Sequence, residues 1–101
     1  MSETIDIAVV GATGAVGEAM IEILEQREFP VGNLYALASE RSVGKTVRFR
    51  GKSISVSDLA EFDFSKTAIA LFSAGGSVSE EHAPRAVAAG CVVIDNTSHF
   101  R

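Results

Sequence analysis

The feature that most constrains the fold is a junction near the N-terminus. Ile5-Asp6-Ile7-Ala8-Val9-Val10 runs directly into Gly11-Ala12-Thr13-Gly14-Ala15-Val16-Gly17, and a new hydrophobic period begins there. The first segment is short, apolar and mostly β-branched, which reads as a strand buried on both faces. After Gly14, apolar Val16, Ala19, Met20, Ile23 and Leu24 recur at i, i+3, i+4, i+7 and i+8, with Glu18, Glu22, Glu25 and Gln26 opposite. That spacing predicts an amphipathic helix ending before Phe29-Pro30. Gly11 supplies a tight turn, Gly14 lets a ligand approach the backbone, and Gly17 lets the helix pack closely on the strand. The helix start adds unpaired N–H groups and the positive end of its dipole, which together suit a phosphate. No Gly-Lys-Ser/Thr follows, so the turn is not a P-loop. A glycine-rich turn that holds no ligand is the plain alternative.

The rest of the chain continues the alternation. Leu34–Ala38 reads as a second strand after the turn residues Gly32-Asn33. Thr46–Phe49 and Ser53–Val56 alternate polar and apolar around Gly51-Lys52, which predicts a small antiparallel hairpin with one wet face. A short turn or helix is expected over Ser57–Phe62, then a buried strand over Ala68–Phe72. Ser79–Ala89 reads as helical, and Gly90 closes it. Pro84 is tolerated in a first turn and bends a helix further in; the sequence leaves both open. Cys91–Ile94 reads as the last strand. The order specifies an α/β fold: a Rossmann-like, doubly wound parallel sheet of about four strands, partial against the six of a complete one, with a hairpin insertion. In such sheets ligands bind beyond the carboxyl ends of the strands. The loops Gly11–Gly17, Ser39–Lys45, Ser73–Val78 and Asp95–Arg101 are therefore expected on one edge.

Composition narrows the class. The 101 residues fit one small domain, and 47% hydrophobic with 22% charged residues is globular composition. A net charge of −4 lacks the basic footprint of a nucleic-acid binder. A single cysteine excludes an internal disulfide and disfavours a zinc cluster. No apolar run approaches the ~18 residues of a membrane helix, and the acidic N-terminus is not a signal peptide. A cytoplasmic domain is the expectation, with neither nucleic acid nor membrane as partner.

Cofactor choice in a dinucleotide fold is read at the end of the second strand. Ser39 stands where an acid selective for NAD is usual, and Arg41 and Ser42 follow. A guanidinium with two hydroxyls matches a 2′-phosphate, which favours NADP. Glu40 turned inward would favour NAD, and Arg41 with Lys45 also reads as a solvated loop. Ser73-Ala74-Gly75-Gly76-Ser77 suits either close approach of a flat ring or a tight turn. Arg101 fits an anion clamp and His99 a surface residue. Glu80, Glu81 and Arg85 read as a helix start and a solvated face, and Cys91 as a small core hydrophobe.

Four segments together resemble the N-terminal region of bacterial aspartate-semialdehyde dehydrogenase, over essentially the whole chain. They are Gly11–Gly17, Ala38–Lys45, Phe72–Ser79 and Ile94–Arg101, the last being the most specific. The resemblance implies an enzyme that reduces L-aspartyl 4-phosphate with NADPH to L-aspartate 4-semialdehyde and phosphate, on the route to lysine, threonine and methionine. It assigns Thr13, Gly14, Ala15 and Val16, with Gly11 beside them, to the phosphate-binding turn. Arg41 and Ser42, with Ser39, match the 2′-phosphate contacts, and Ser73, Ala74 and Gly75 the loop near the cofactor. Arg101 matches the arginine holding the substrate's phosphate. Thr97, His99 and Glu40 depart mildly from the family's usual residues. The family's nucleophilic cysteine, acid/base histidine, carboxylate-binding arginine and dimer-forming domain lie beyond Arg101, and Cys91 does not match the nucleophile's motif. Residues 1–101 are thus expected to be an incomplete NADP-binding domain, inactive alone and homodimeric when full length. The related N-acetyl-gamma-glutamyl-phosphate reductase and a non-catalytic NADP-binding module are the alternatives.

Overall fold

The computed structural model describes residues 4–73 and 76–95, with side chains described for 4–73 and 80–94. The elements follow in the order β1 (Ile5–Val10), α1 (Ala15–Gln26), β2 (Val31–Ala38), β3 (Thr46–Phe49), β4 (Lys52–Asp58), β5 (Ile69–Phe72), α2 (Gly76–Ala88) and β6 (Val92–Asp95). Single 3-10 turns lie at Glu40–Ser42, Leu59–Glu61 and Phe64–Lys66. The six strands form one sheet in the order β3-β4-β2-β1-β5-β6. Only β3 runs antiparallel to its neighbour. The chain builds outward from β1 through β2 to β4 and β3, then returns to place β5 on the other side of β1. The strand order thus reverses at β1 and β5, and a crevice opens there at the carboxyl ends.

The α/β reading is borne out, while the sheet is larger than the expected four parallel strands. The hairpin is not a separate insertion: β4 pairs in parallel with β2, Ala36 opposite Val56 through Ala38 opposite Asp58. Its Val56 is buried with the sheet's own core, which alternation along one short segment could not disclose. Similarly, β2 starts at Val31, so Gly32-Asn33 is not a turn before the strand. These residues form an irregularity within it, between the pairs Ile5–Val31 and Ile7–Leu34. The Asp6 carboxylate accepts the Asn33 backbone N–H at 2.8 Å, supplying the partner that the ladder loses there.

Each strand of the centre buries both faces. Ile7 and Val9 join Met20 and Ile21 of α1, whereas Ala8 and Val10 join Leu37, Phe64, Phe72 and Ala86 on the α2 side. This explains why β1 reads as a continuous apolar run. The buried face of α1 is Gly17, Met20 and Ile21. Val16 and Ile23, expected in the core, are 48% and 50% exposed. The close seat of Gly17 against the β1 turn rotates the helix away from the stripe that its period suggests. On the other face, α2 starts at Gly76, earlier than Ser79, which leaves Pro84 inside the helix. Cys91 is buried as expected, its Sγ 3.2 Å from the carbonyl oxygens of Phe64 and Thr67.

Candidate functional site

The turn after β1 has the geometry that its glycines require. Gly11 adopts φ 84°, a conformation open chiefly to glycine. Its N–H and that of Ala12 donate to the Leu37 carbonyl at 2.8 and 3.1 Å, anchoring the turn to the end of β2. A Cβ on Gly17 would stand 2.1 Å from the Gly11 carbonyl oxygen and 2.9 Å from the Ala12 Cα. Close helix–strand packing is therefore the reason for that glycine. Gly14 differs. Its φ of −84° suits any residue, and an added Cβ would meet only the Gly11 oxygen, at 3.5 Å. Nothing within the described chain requires glycine there, so its backbone stands open where helix–strand packing does not account for it.

Gly14 is also the N-cap of α1, and no side chain caps that helix. Its first-turn N–H groups retain their need for an acceptor. Ser73, at the end of β5, braces the same turn: its hydroxyl donates to the Val10 carbonyl at 2.8 Å and reaches the Gly11 carbonyl at 3.4 Å. A groove of about 610 Å³ opens over these residues, within the usual size of a small-molecule site. It is lined by Gly11, Thr13, Gly14, Ala38, Ser39, Glu40, Ser42, Asp58, Leu59, Ala60, Ser73 and His82. Three of the four loops expected on one edge thus contribute to one concave surface.

The structure brings Gly11, Thr13, Gly14, Ser39, Ser42 and Ser73 together on the wall. Ala15 and Val16 begin α1 beside it, exposed, and are not part of the lining. Arg41 is exposed on the 3-10 turn between Glu40 and Ser42, and of the two charged residues it is Glu40 that lines the groove. Ala74, Gly75 and Arg101 lie outside the described residues, as does His99. Among the described residues, no group of three or more His, Cys, Asp and Glu side chains is arranged to hold a metal. Nor is any helix there long and apolar enough to cross a membrane.

Four wall residues escaped the sequence reading: Asp58, Leu59, Ala60 and His82. The first three follow β4, whose place beside β2 brings its end to the crevice. A local signal existed in Asp58, whose carboxylate accepts the Ala60 N–H at 3.0 Å in an Asx turn. His82 carried none, because its position depends on how α2 crosses the sheet. The reading of Arg85 as a solvated charge is overturned. It is half-buried, donating to the carbonyls of Leu59 at 3.1 Å and Phe62 at 2.7 Å, with its guanidinium 5.2 Å from the Phe64 ring centre. Those acceptors are more than twenty residues away in sequence.

A glycine turn at an uncapped helix, opening into a groove at the switch point of a doubly wound sheet, defines a dinucleotide-binding α/β domain. The family model described as semialdehyde dehydrogenase, NAD binding domain, matches residues 6–101, and the chain belongs to that family. The aspartate-semialdehyde dehydrogenase of Legionella pneumophila is 66% identical over all 101 residues, which cover 29% of that relative. Aspartate-semialdehyde dehydrogenase 2 of Vibrio cholerae is 61% identical over the whole chain and 30% of its own length. Among solved structures, aspartate semialdehyde dehydrogenase II from Vibrio cholerae, complexed with ASA, superposes with a TM-score of 0.93 at 60% identity. That match covers 97% of this chain and 32% of the other. The chain therefore spans about three-tenths of the length of these relatives.

Proposed function

We propose that this chain is the NADP-binding part of an aspartate-semialdehyde dehydrogenase, which reduces L-aspartyl 4-phosphate to L-aspartate 4-semialdehyde. The observation that carries the cofactor role is the groove that the uncapped α1 N-terminus shares with Ser39, Ser42, Leu59 and His82. Its parts suit those of a dinucleotide. The pyrophosphate lies against Gly14, with Ala15 and Val16 offering first-turn N–H groups and Thr13 beside them. The adenosine ribose lies at the end of β2, and the base lies beyond it, toward Leu59, Ala60 and His82. When bound, the cofactor supplies the hydride; this chain's residues bind and orient it.

Ser39 and Ser42 on the wall, with Arg41 between them, support NADP. Arg41 reaches a 2′-phosphate by turning its long side chain over the 3-10 turn. Glu40 on the wall favours a second reading, NAD, because a carboxylate there accepts from a free 2′-hydroxyl and repels a phosphate. Ala74 and Gly75 belong to the nicotinamide side of the same cofactor. Arg101 holds the phosphate of the acyl-phosphate substrate, and the complete protein works as a cytoplasmic homodimer. The relatives' names support this substrate over N-acetyl-gamma-glutamyl phosphate, and over a module without chemistry.

Calorimetry with NADPH and NADH tests the cofactor. A charge-assisted contact of about 1.5–3 kcal/mol makes Arg41→Ala weaken NADPH roughly tenfold to a hundredfold, with NADH nearly unchanged. A preference for NADH that Glu40→Gln abolishes would decide for NAD. In the full-length protein, Arg101→Ala raises KM for the acyl phosphate more than for NADPH; unchanged acyl-phosphate kinetics remove that role.

A further inference from the structure

Arg85 joins three acceptors from two separated parts of the chain. It donates to the Leu59 and Phe62 carbonyls of the β4–β5 connection, and to Nδ1 of His82 on its own helix at 2.6 Å. Leu59 and His82 both line the groove that the glycine turn also lines. Arginine has donors only, so His82 Nδ1 must be the unprotonated nitrogen of that pair. The ring proton is thereby placed on Nε2, which lies 3.9 Å from the Glu81 carboxylate, and that N–H is the polar group that His82 can offer a ligand in the groove. The Phe64 ring beneath the guanidinium fixes its plane, and Phe64 in turn packs edge-on against Phe62 with centres 5.2 Å apart.

We propose that Arg85 is a positioning residue for the base-binding end of the groove, setting His82 as an Nε2–H donor and clamping the Leu59–Phe62 backbone as the adjoining wall. This rests on the dinucleotide reading above and extends it to a specific partner, the adenine ring. Adenine has a flat face for the Leu59 and Ala60 side and ring nitrogens that accept a hydrogen bond. A lysine cannot reproduce the clamp, because its single nitrogen cannot stand at both guanidinium positions, Nη1 facing Leu59 and His82 and Nη2 facing Phe62.

The test uses nitrogen-15 NMR of the histidine rings and calorimetry on the unsubstituted chain, Arg85→Ala and Arg85→Lys. The probes are NADPH and its adenosine half, 2′,5′-ADP. The unsubstituted chain shows His82 as the Nε2–H tautomer, and both substitutions shift it toward a tautomeric mixture. Both weaken NADPH and 2′,5′-ADP by the same factor, roughly tenfold, the effect of about one well-placed hydrogen bond. Arg85→Lys keeps the charge and the packing of the stem, so it carries the test if Arg85→Ala fails to fold. An unchanged tautomer, unchanged affinities, or a loss for NADPH that 2′,5′-ADP does not share overturns the proposal while leaving the dinucleotide reading intact. Absence of NADPH and NADH binding by the unsubstituted chain overturns the dinucleotide reading, and the ligand role of Arg85 with it.

Discussion

Gly17 and Gly14 lie three residues apart in one turn, yet alanine at each should do opposite things. At Gly17 the new methyl would sit 2.1 Å from the Gly11 carbonyl oxygen and 2.9 Å from both the Gly11 carbonyl carbon and the Ala12 Cα. All three are backbone atoms, and the oxygen already accepts the Gly14 N–H at 3.0 Å. The residue carrying it is tied by its own N–H to Leu37. Relief requires α1 to lift from β1, so the cost falls at or above the top of the usual overpacking range, about 3 kcal/mol. For a domain of this size that lowers Tm by on the order of 12–24 °C. At Gly14 the methyl finds 3.5 Å of clearance and an ordinary φ. The weaker N-cap costs about 0.5–1 kcal/mol, and the stiffer unfolded chain returns about as much, so Tm stays nearly the same. On the proposed function, binding should suffer instead, because the methyl would occupy the approach of the pyrophosphate. Loss of one charge-assisted backbone contact weakens NADPH about tenfold to a hundredfold. Thermal unfolding by circular dichroism and calorimetric titration, run on both variants, separate the two effects. A Gly17→Ala chain as stable as its parent refutes the packing argument. Full NADPH affinity in Gly14→Ala refutes the claim that this glycine is kept for a ligand.

Other outcomes follow from the core and the connections. Phe72 is fully buried in one cluster with Val10, Phe64 and Ala86, so Phe72→Ala should destabilise by about 3–5 kcal/mol in chemical denaturation. Cys91 is only 7% exposed and its thiol faces two carbonyls; it should react with a thiol reagent only as fast as the chain opens, and rapid labelling of the folded protein would contradict that placement. The Asp63 carboxylate accepts from the Ser65 hydroxyl at 2.7 Å and, second, from the Ser65 N–H at 3.0 Å, which hold its pKa below the ordinary value. A depressed carboxylate stabilises the fold fully above the unfolded-state pKa and loses that contribution as pH falls through the folded one. Denaturation between neutral and acid pH should therefore show a small loss with acid that Asp63→Asn lacks; an identical pH profile in the variant would rule the contact out as a source.

The division between what was legible and what was not runs along the range of the interactions. The strand of Ile5–Val10, the tight turn at Gly11 and the close seat of Gly17 could be read directly. Each follows from side-chain period or from the absence of a Cβ, which are properties of a few consecutive residues. The expectation that four loops share an edge, three of which line the groove, also came from the chain order, because parallel strands joined by crossovers put their carboxyl ends together. The rotation of α1 could not be read, since Val16 and Ile23 fit the hydrophobic period as well as Ile21 does. The contact at Gly17 decided among them. The pairing of β4 with β2, which brings Asp58–Ala60 to the groove, depends on a partner about twenty residues away. The half-buried guanidinium of Arg85 depends on carbonyls of comparable separation. By itself, then, the sequence determined the α/β class and the glycine turn after β1. The tertiary structure alone decided how wide the sheet is, which wall Glu40 faces and how His82 is held. Hydrophobic period and backbone freedom act locally, whereas strand pairing and the capture of a half-buried cation need acceptors that only folding brings near.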